Sequence, residues 1–369
     1  MKQTEKLKLR DLEDKILFAL KELCSSVPFL TLRSWRQEKT SGGYRPDIVL
    51  AMNVGDQHWE WLVECRLNGQ PRELRGVIPL MKSALAESGR GNRYALFAAP
   101  FLSEESRRLC AEAGLGYVDL AGNVHVSFEQ VYIDVRAQDN PFKEKRSLRS
   151  LFSAKAGRVL RVLLTPPLRS WKVKDLQLAS GVSLGQVSNV RKLLLDREWA
   201  EVSKESREGI QIKEPEALLR AWRESYEGEY LSEETFSTTM SSEELDTSLR
   251  QALEESSSGA HAVLASYSAA RLYVPYVRQE TLCVYADAEG KGILKRNLGL
   301  KPMETGGNVV VIEPREDDVF TGRVEVVPGI WCTGLVQTWL DLGVAGEHGA
   351  KAADLLLQQK LLPAWRESE

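Results

Sequence analysis

Between Lys143 and Lys213 the chain carries sixteen Lys and Arg residues against seven Asp and Glu, a local net charge of +9. The whole chain of 369 residues carries −3, so everything outside that stretch sums to −12. A basic block within an acidic chain is the electrostatic footprint of a nucleic-acid site, because clustered cations neutralise phosphates and release counterions. Inside the block, Ser183 and Gln186 have the spacing of a capping box that starts a helix. On that helix Val187, Val190 and Leu194 fall on one face, leaving Gln186, Ser188, Asn189, Lys192 and part of Arg191 on the other. Two further groups of ionisable residues stand at the ends of strand-like runs. Asp47 and Glu64 are seventeen positions apart, with Arg66 two beyond Glu64, a separation compatible with neighbouring strands joined by a turn. Asp287 and Glu289 close another such run, downstream of Ala265-Ser266.

Composition bounds what these residues serve. With 43% hydrophobic, 27% charged and 8% aromatic residues the chain is neither disordered nor collagenous, and its length suits two to three domains. No apolar run approaches the ~20 residues of a membrane span. The charged segment Met1 to Arg10 leads into an amphipathic pattern rather than a signal-peptide core. The five cysteines (Cys24, Cys65, Cys110, Cys283, Cys332) are scattered without any CxxC, which argues against a disulfide framework or a zinc knuckle. A cytoplasmic protein with no metal or other cofactor is the expectation.

The elements that must position the charged groups fall into α/β and α+β regions. Region 1–141 opens with a helix carrying Leu12, Ile16, Leu17, Leu20 and Leu23 at helical spacing. Strand-like runs follow at Asp47–Met52, His58–Glu64 and Tyr94–Ala99, with a helix around Gly76 to Ser88 between the last two. Ser103 caps a further helix that ends near Gly114, before short strands at Tyr117–Leu120 and Val124–Phe128. In region 142–222, Val159, Leu160, Val162, Leu163 and Leu164 form a helix stopped by Pro166-Pro167. A second helix presents Val173, Leu176 and Ala179 inward, and Gly181 makes the turn into the third. Two strand-like pieces, Ala200–Ser203 and Gly209–Ile212, then flank a charged tip. Residues 223–258 read as a spacer followed by a capped connecting helix. Region 259–369 alternates strands at His261–Ala265, Thr281–Tyr285, Asn308–Ile312 and Val324–Val327 with helices, and closes on helices at Leu335–Leu342 and Gly346–Leu362.

Three resemblances attach to these regions. Helix, helix, Gly turn, helix and basic hairpin resembles the winged helix-turn-helix family. That implies a third helix in the major groove of double-stranded DNA, with Gln186, Ser188 and Asn189 near base edges. Lys172, Lys174, Lys192, Lys204 and Arg207 then contact phosphates, with Ser183 and Arg191 alongside. Pro46-Asp47 followed by Glu64-Cys65-Arg66 resembles the PD-(D/E)xK nuclease pattern, in which two carboxylates hold Mg²⁺ and a lysine polarises water or phosphate. The resemblance implies a restriction-endonuclease-like domain. Arg66 occupies the lysine position, and arginine is no conservative replacement for a point-charge lysine. Asp47, Glu64 and Arg66 are therefore expected to be vestigial.

Ala265-Ser266-Tyr267-Ser268-Ala-Ala270, the strand ending at Asp287, Val336–Leu342 and Gly346–Leu356 together resemble the C-terminal domain of AbiEi-like antitoxins. These are transcriptional regulators of type IV toxin–antitoxin pairs. That resemblance implies a nucleotidyltransferase-like fold without its chemistry, and a cognate nucleotidyltransferase-like toxin as partner. Ala265-Ser266 stands where a working enzyme has Gly-Ser, and the family's winged helix stands at the N-terminus rather than behind a nuclease-like region. The expected function is a catalytically inert DNA-binding transcriptional regulator, monomeric or oligomeric, with no membrane partner. The alternative is a metal-dependent DNA nuclease targeted by the winged helix.

Overall fold

A computed structural model describes residues 8–37, 45–86, 92–137, 150–203, 209–228, 230–256, 261–274, 281–304, 306–315, 317–320 and 322–367. The architecture is mixed α/β with more than one sheet. The chain divides into two compact units: Met1–Ser147 with Asp196–Glu198, and Leu148–Leu195 with Trp199–Glu369.

In the first unit, helix α1 (Leu9–Ser26) precedes strands β1 (Leu30–Gln37), β2 (Ile48–Val54) and β3 (Gln57–Cys65). Helix α2 (Pro71–Ala86), β4 (Asn92–Ala99), helix α3 (Glu104–Glu112), β5 (Gly116–Asp119), β6 (Val124–Phe128) and β7 (Val131–Val135) follow. The seven strands lie side by side in chain order. The pairs β3–β4 and β4–β5 are parallel, and the flanking pairs are antiparallel. The parallel pairs are those whose connections are helices, as a crossover requires. Alternation along the strands sorts the side chains to two faces. Leu50, Met52, Trp61, Val63 and Leu96 pack with Leu12, Ile16, Leu17 and Leu20 of α1. Val49, Leu62, Ala95 and Phe97 pack with Leu74, Val77 and Met81 of α2 and Leu109 and Cys110 of α3. Each such fully buried side chain contributes ~1.5–3 kcal/mol relative to exposure.

The second unit begins with α4 (Ala154–Leu164), α5 (Val173–Ser180), α6 (Leu184–Asp196), β8 (Ala200–Val202), β9 (Ile210–Ile212) and α7 (Pro215–Glu224). It continues with β10 (Tyr230–Ser237), α8 (Ser242–Ser256), β11 (Ala262–Leu264), α9 (Ser266–Tyr273), β12 (Leu282–Ala286) and α10 (Ala288–Leu298). Then come β13 (Lys301–Pro302), β14 (Val309–Pro314), β15 (Val324–Val327), β16 (Ile330–Cys332), α11 (Leu335–Val344), α12 (Gly346–Leu356) and α13 (Leu362–Arg366). Strands β8 and β9 form their own antiparallel pair, and the others form a seven-stranded sheet in the order β13-β10-β14-β12-β11-β16-β15.

Two expectations are corrected here. The first half of the expected spacer, residues 223–258, contains β10, which pairs antiparallel with β14 from Tyr230↔Pro314 to Phe236↔Val309. Its membership rests on backbone pairing, because Phe236 is its one buried residue. The expected single helix Gly346–Leu362 is instead α12 and α13 joined by a π-helical turn at Leu357–Leu361.

One hydrophobic cluster runs through both ends of the second unit. Leu160, Leu163, Val187, Leu194 and Trp222 share it with Trp339, Leu340, Leu356, Leu361 and Trp365. The buried Trp365 indole Nε1 donates to the Leu164 carbonyl at 2.8 Å, tying the last helix to the end of α4. One face of the large sheet packs Phe236, Val284, Val309 and Val311 against Leu249 and Leu253 of α8 and Ile293 and Leu294 of α10.

Candidate nucleic-acid interface

The turn between α5 and α6 forms because Gly181 takes a left-handed conformation (φ +66°) and its N–H closes α5 onto the Gln177 carbonyl at 3.0 Å. Such a φ costs an L side chain ~1–2 kcal/mol and glycine nothing. Ser183 Oγ then accepts from the Gln186 N–H at 3.3 Å, satisfying one of the free donors of the α6 N-terminus. Val187, Val190 and Leu194 are fully buried, so the opposite face of α6 is turned outward. Ser183, Ser188, Asn189 and Lys192 are exposed there, and Gln186 is half-buried. Lys172 and Lys174, at the start of α5, are exposed as well. Arg191 is half-buried and its Nε donates to the Gly209 carbonyl at 3.4 Å, bracing α6 against the approach to β9.

The β8–β9 pair is anchored by a further backbone bridge. Trp171 and Ile210 exchange N–H···O bonds, both 2.8 Å, so the segment before α5 lies along β9. Lys204 and Arg207 lie outside the described residues. Ala179, expected inward with Val173 and Leu176, is exposed, and Val173 is half-buried; Leu176 alone of the three is fully buried. A spacing of three drifts around a helix with 3.6 residues per turn, so the third member leaves the apolar stripe.

In the first unit, the antiparallel register pairs Ile48 with Val63, which sets Asp47 beside Glu64 at the strand ends. Asp47 Oδ2 accepts from the Cys65 N–H at 2.7 Å. Arg66 turns its guanidinium into the carboxylates: it pairs with Glu64, stands 3.8 Å from Asp47 and lies 3.5 Å from Glu73 of α2. The three residues are therefore brought together, and Glu73 is a member that the sequence reading missed. Burial raises the Asp47 pKa, with the Cys65 hydrogen bond and Arg66 acting against it. Burial, and then the Asp47 charge, raise that of Glu13 on α1.

In the second unit, Ser266 opens α9 with φ +47°, an uncommon conformation for a side-chain-bearing residue. Asp287 caps α10: its Oδ1 accepts from the Gly290 N–H at 2.7 Å. Its Oδ2 accepts from the His261 N–H at 3.0 Å and lies 2.9 Å from His261 Nδ1. Both oxygens are engaged in holding the helix start and β11.

A buried polar network that sequence spacing did not reveal lies between the α4–α7 segment and the large sheet. Asp341 of α11 accepts through Oδ1 from Tyr226 Oη at 3.1 Å, Tyr285 Oη at 2.9 Å and Gln337 Nε2 at 2.7 Å. Gln337 Oε1 in turn accepts from Arg161 Nε at 2.8 Å. Burial pushes the Asp341 carboxyl up to about 6, opposed by its three hydrogen-bond donors and the Arg161 charge. The five cysteines are all free and buried. Burial pushes the thiol pKa values of Cys110 and Cys283 up to about 12, which makes them poor nucleophiles at neutral pH.

No helix among the described residues is long and apolar enough to cross a membrane. No curated protein and no solved structure matches the chain. A protein family does match, from within β9 to the π-helical turn before α13. The match starts upstream of residue 259, where the resemblance read from sequence began, and takes in β10 and α8. Residues 211–361 are thereby similar to the family described as "Transcriptional regulator, AbiEi antitoxin, Type IV TA system".

Proposed function

We propose that this chain is a DNA-binding transcriptional regulator of the type IV antitoxin kind, with α4–α6, β8 and β9 acting as a winged helix. The observation that carries the reading is the two-faced α6. Its apolar face is buried, while Ser188, Asn189 and Lys192 are exposed and Gln186 half-exposed, in the most basic stretch of an acidic chain. In this reading α6 enters the major groove, Gln186, Ser188 and Asn189 meet base edges, and Lys172, Lys174 and Lys192 meet phosphates. Lys204 and Arg207 extend the phosphate contacts, and Arg191 braces the wing rather than touching DNA. A toxin from the same type IV pair is the protein partner that the family description supports.

We read the carboxylates of the first unit as catalytically inert. The Arg66 guanidinium lies against all three of Asp47, Glu64 and Glu73, so it occupies the place between the carboxylates that a metal ion would need. We read residues 259–369 as a nucleotidyltransferase-like scaffold whose Asp287 serves as a helix cap.

Fluorescence anisotropy of promoter and random duplexes, titrated across a salt series, tests the main reading. Lys174→Ala or Lys192→Ala should weaken binding to both duplexes and reduce the log–log salt slope by about 0.9 each. Gln186→Ala or Asn189→Ala should instead cost ~1–3 kcal/mol of discrimination between duplexes. If none of the four variants changes either quantity, α6 is not the DNA-reading helix.

A further inference from the structure

Within the second unit, a cleft of about 390 Å³ opens between the α4–α5 connection and the N-terminus of α11. Small-molecule sites usually occupy roughly 300–1,000 Å³, so the cleft is of ligand size. Its apolar wall comprises Val162, Pro166, Pro167, Trp171 and Val336. Its ionisable lining residues are Arg161 and Arg169, and no carboxylate is among the lining residues described. Arg161 is 5% exposed and held by Gln337 Oε1 at 2.8 Å. Arg169 is exposed and lies over the Trp171 ring, 3.8 Å from its centroid. The first turn of α11 contributes Gly334, Val336 and Gln337, and its N-cap Gly334 has no side-chain cap. Gly334 also approaches Gly322 so closely that an added Cβ would stand 2.7 Å from the Gly322 carbonyl oxygen. The rim is thus closed by backbone packed on backbone, which leaves the cleft open where side chains would otherwise fill it.

We infer that this cleft binds a small organic anion, with an apolar or aromatic body against Trp171, Pro166 and Val336 and its charged head toward Arg161 and Arg169. The apolar wall favours such a molecule over a bare phosphate, which would gain nothing from it. Arg169 offers a forked donor to a carboxylate, sulfonate or phosphate head, and the buried Arg161, already bonded to Gln337, adds its charge. The occupant would touch three elements at once. Trp171 is bridged to β9 through Ile210, Ala179 lies on α5, and Gln337 belongs to the Asp341 network of α11. It would therefore act as an effector that fastens α5 and β9 to α11.

The site is tested on the full chain without DNA, so that its failure is separate from any failure of the DNA-binding reading. The probe is 8-anilinonaphthalene-1-sulfonate, with N-phenyl-1-naphthylamine as its uncharged counterpart, each titrated by calorimetry. The expected result is one saturable sulfonate site per chain, with the uncharged probe at least tenfold weaker. Arg169→Glu should weaken the sulfonate at least tenfold, and Ala179→Trp, at an exposed position, should block it by filling the cleft. Melting temperatures of both variants, unchanged from the parent, show that the fold is retained. Absence of saturable binding overturns the inference, as does equal affinity for the two probes or binding that survives both substitutions.

Discussion

Asp341→Asn should reverse part of the pH dependence of stability. The carboxyl is wholly buried, and its pKa stands at about 6 against 3.8 for the free side chain. A folded-state pKa raised in this way stabilises the protein below the unfolded pKa, and that stabilisation disappears as pH rises through about 6. A two-unit shift corresponds to about 3 kcal/mol, of which about 2 kcal/mol falls between about pH 4.5 and about pH 7. Asparagine keeps an oxygen for the Tyr226, Tyr285 and Gln337 donors and does not titrate. It puts an amide where Oδ2 has no hydrogen-bond partner among the described residues. Urea denaturation followed by tryptophan fluorescence, on parent and variant at both pH values, gives the difference in unfolding free energy. The parent should lose about 2 kcal/mol relative to the variant on going from the acid to the neutral buffer. A difference that stays constant across this window, or moves the opposite way, refutes the placement of a neutral carboxyl in the network.

Arg66→Ala should cost ~3–5 kcal/mol near pH 7, because it takes the guanidinium away from the buried Glu64. Thermal melts near pH 7 measure the deficit, and a melting temperature equal to the parent's would refute the ion pair. Gly181→Ala should cost ~1–2 kcal/mol through backbone strain alone, since an added Cβ meets nothing within 4 Å; a melting temperature equal to the parent's would contradict the left-handed turn. Trp365→Ala should cost ~3–5 kcal/mol and raise protease sensitivity within Ala154–Leu164, its partner segment; cleavage confined to the C-terminus would count against the shared core.

Local patterns made some of this architecture readable. Leu12, Ile16, Leu17 and Leu20 repeat at helical spacing, and all four are buried in α1. Gly181, Ser183 and Gln186 announced a turn and a helix start through chemistry confined to a few residues. What escaped depends on partners far along the chain. Of β1, which runs from Leu30 to Gln37, Leu30 alone is buried; the strand exists because β2 pairs with it. Strand β10 carries Glu233 and Glu234 and reads as linker until β14, some eighty residues on, supplies its backbone partners. Glu73 joins the Arg66 cluster only because α2 crosses back over the strand ends. Gln337 and Asp341 stand one turn apart on α11, but Arg161, Tyr226 and Tyr285 reach them from far along the chain, so no spacing rule could have assembled the whole network.

The bond from Trp365 to Leu164 also has a temporal meaning. A chain emerging from the ribosome exposes α4, α5 and α6 long before Trp365 has been joined to it, and domains made first ordinarily fold first. Here the first helices of the second unit must wait: Trp339, Leu361 and Trp365 complete the core that Leu160, Leu163 and Trp222 begin. The nascent polypeptide therefore holds an unfinished hydrophobic surface beside its most basic segment until the closing helices have been made. Only translation through Trp365 closes that surface, so the maturation of the helical segment is timed by residues some two hundred positions downstream rather than by its own length.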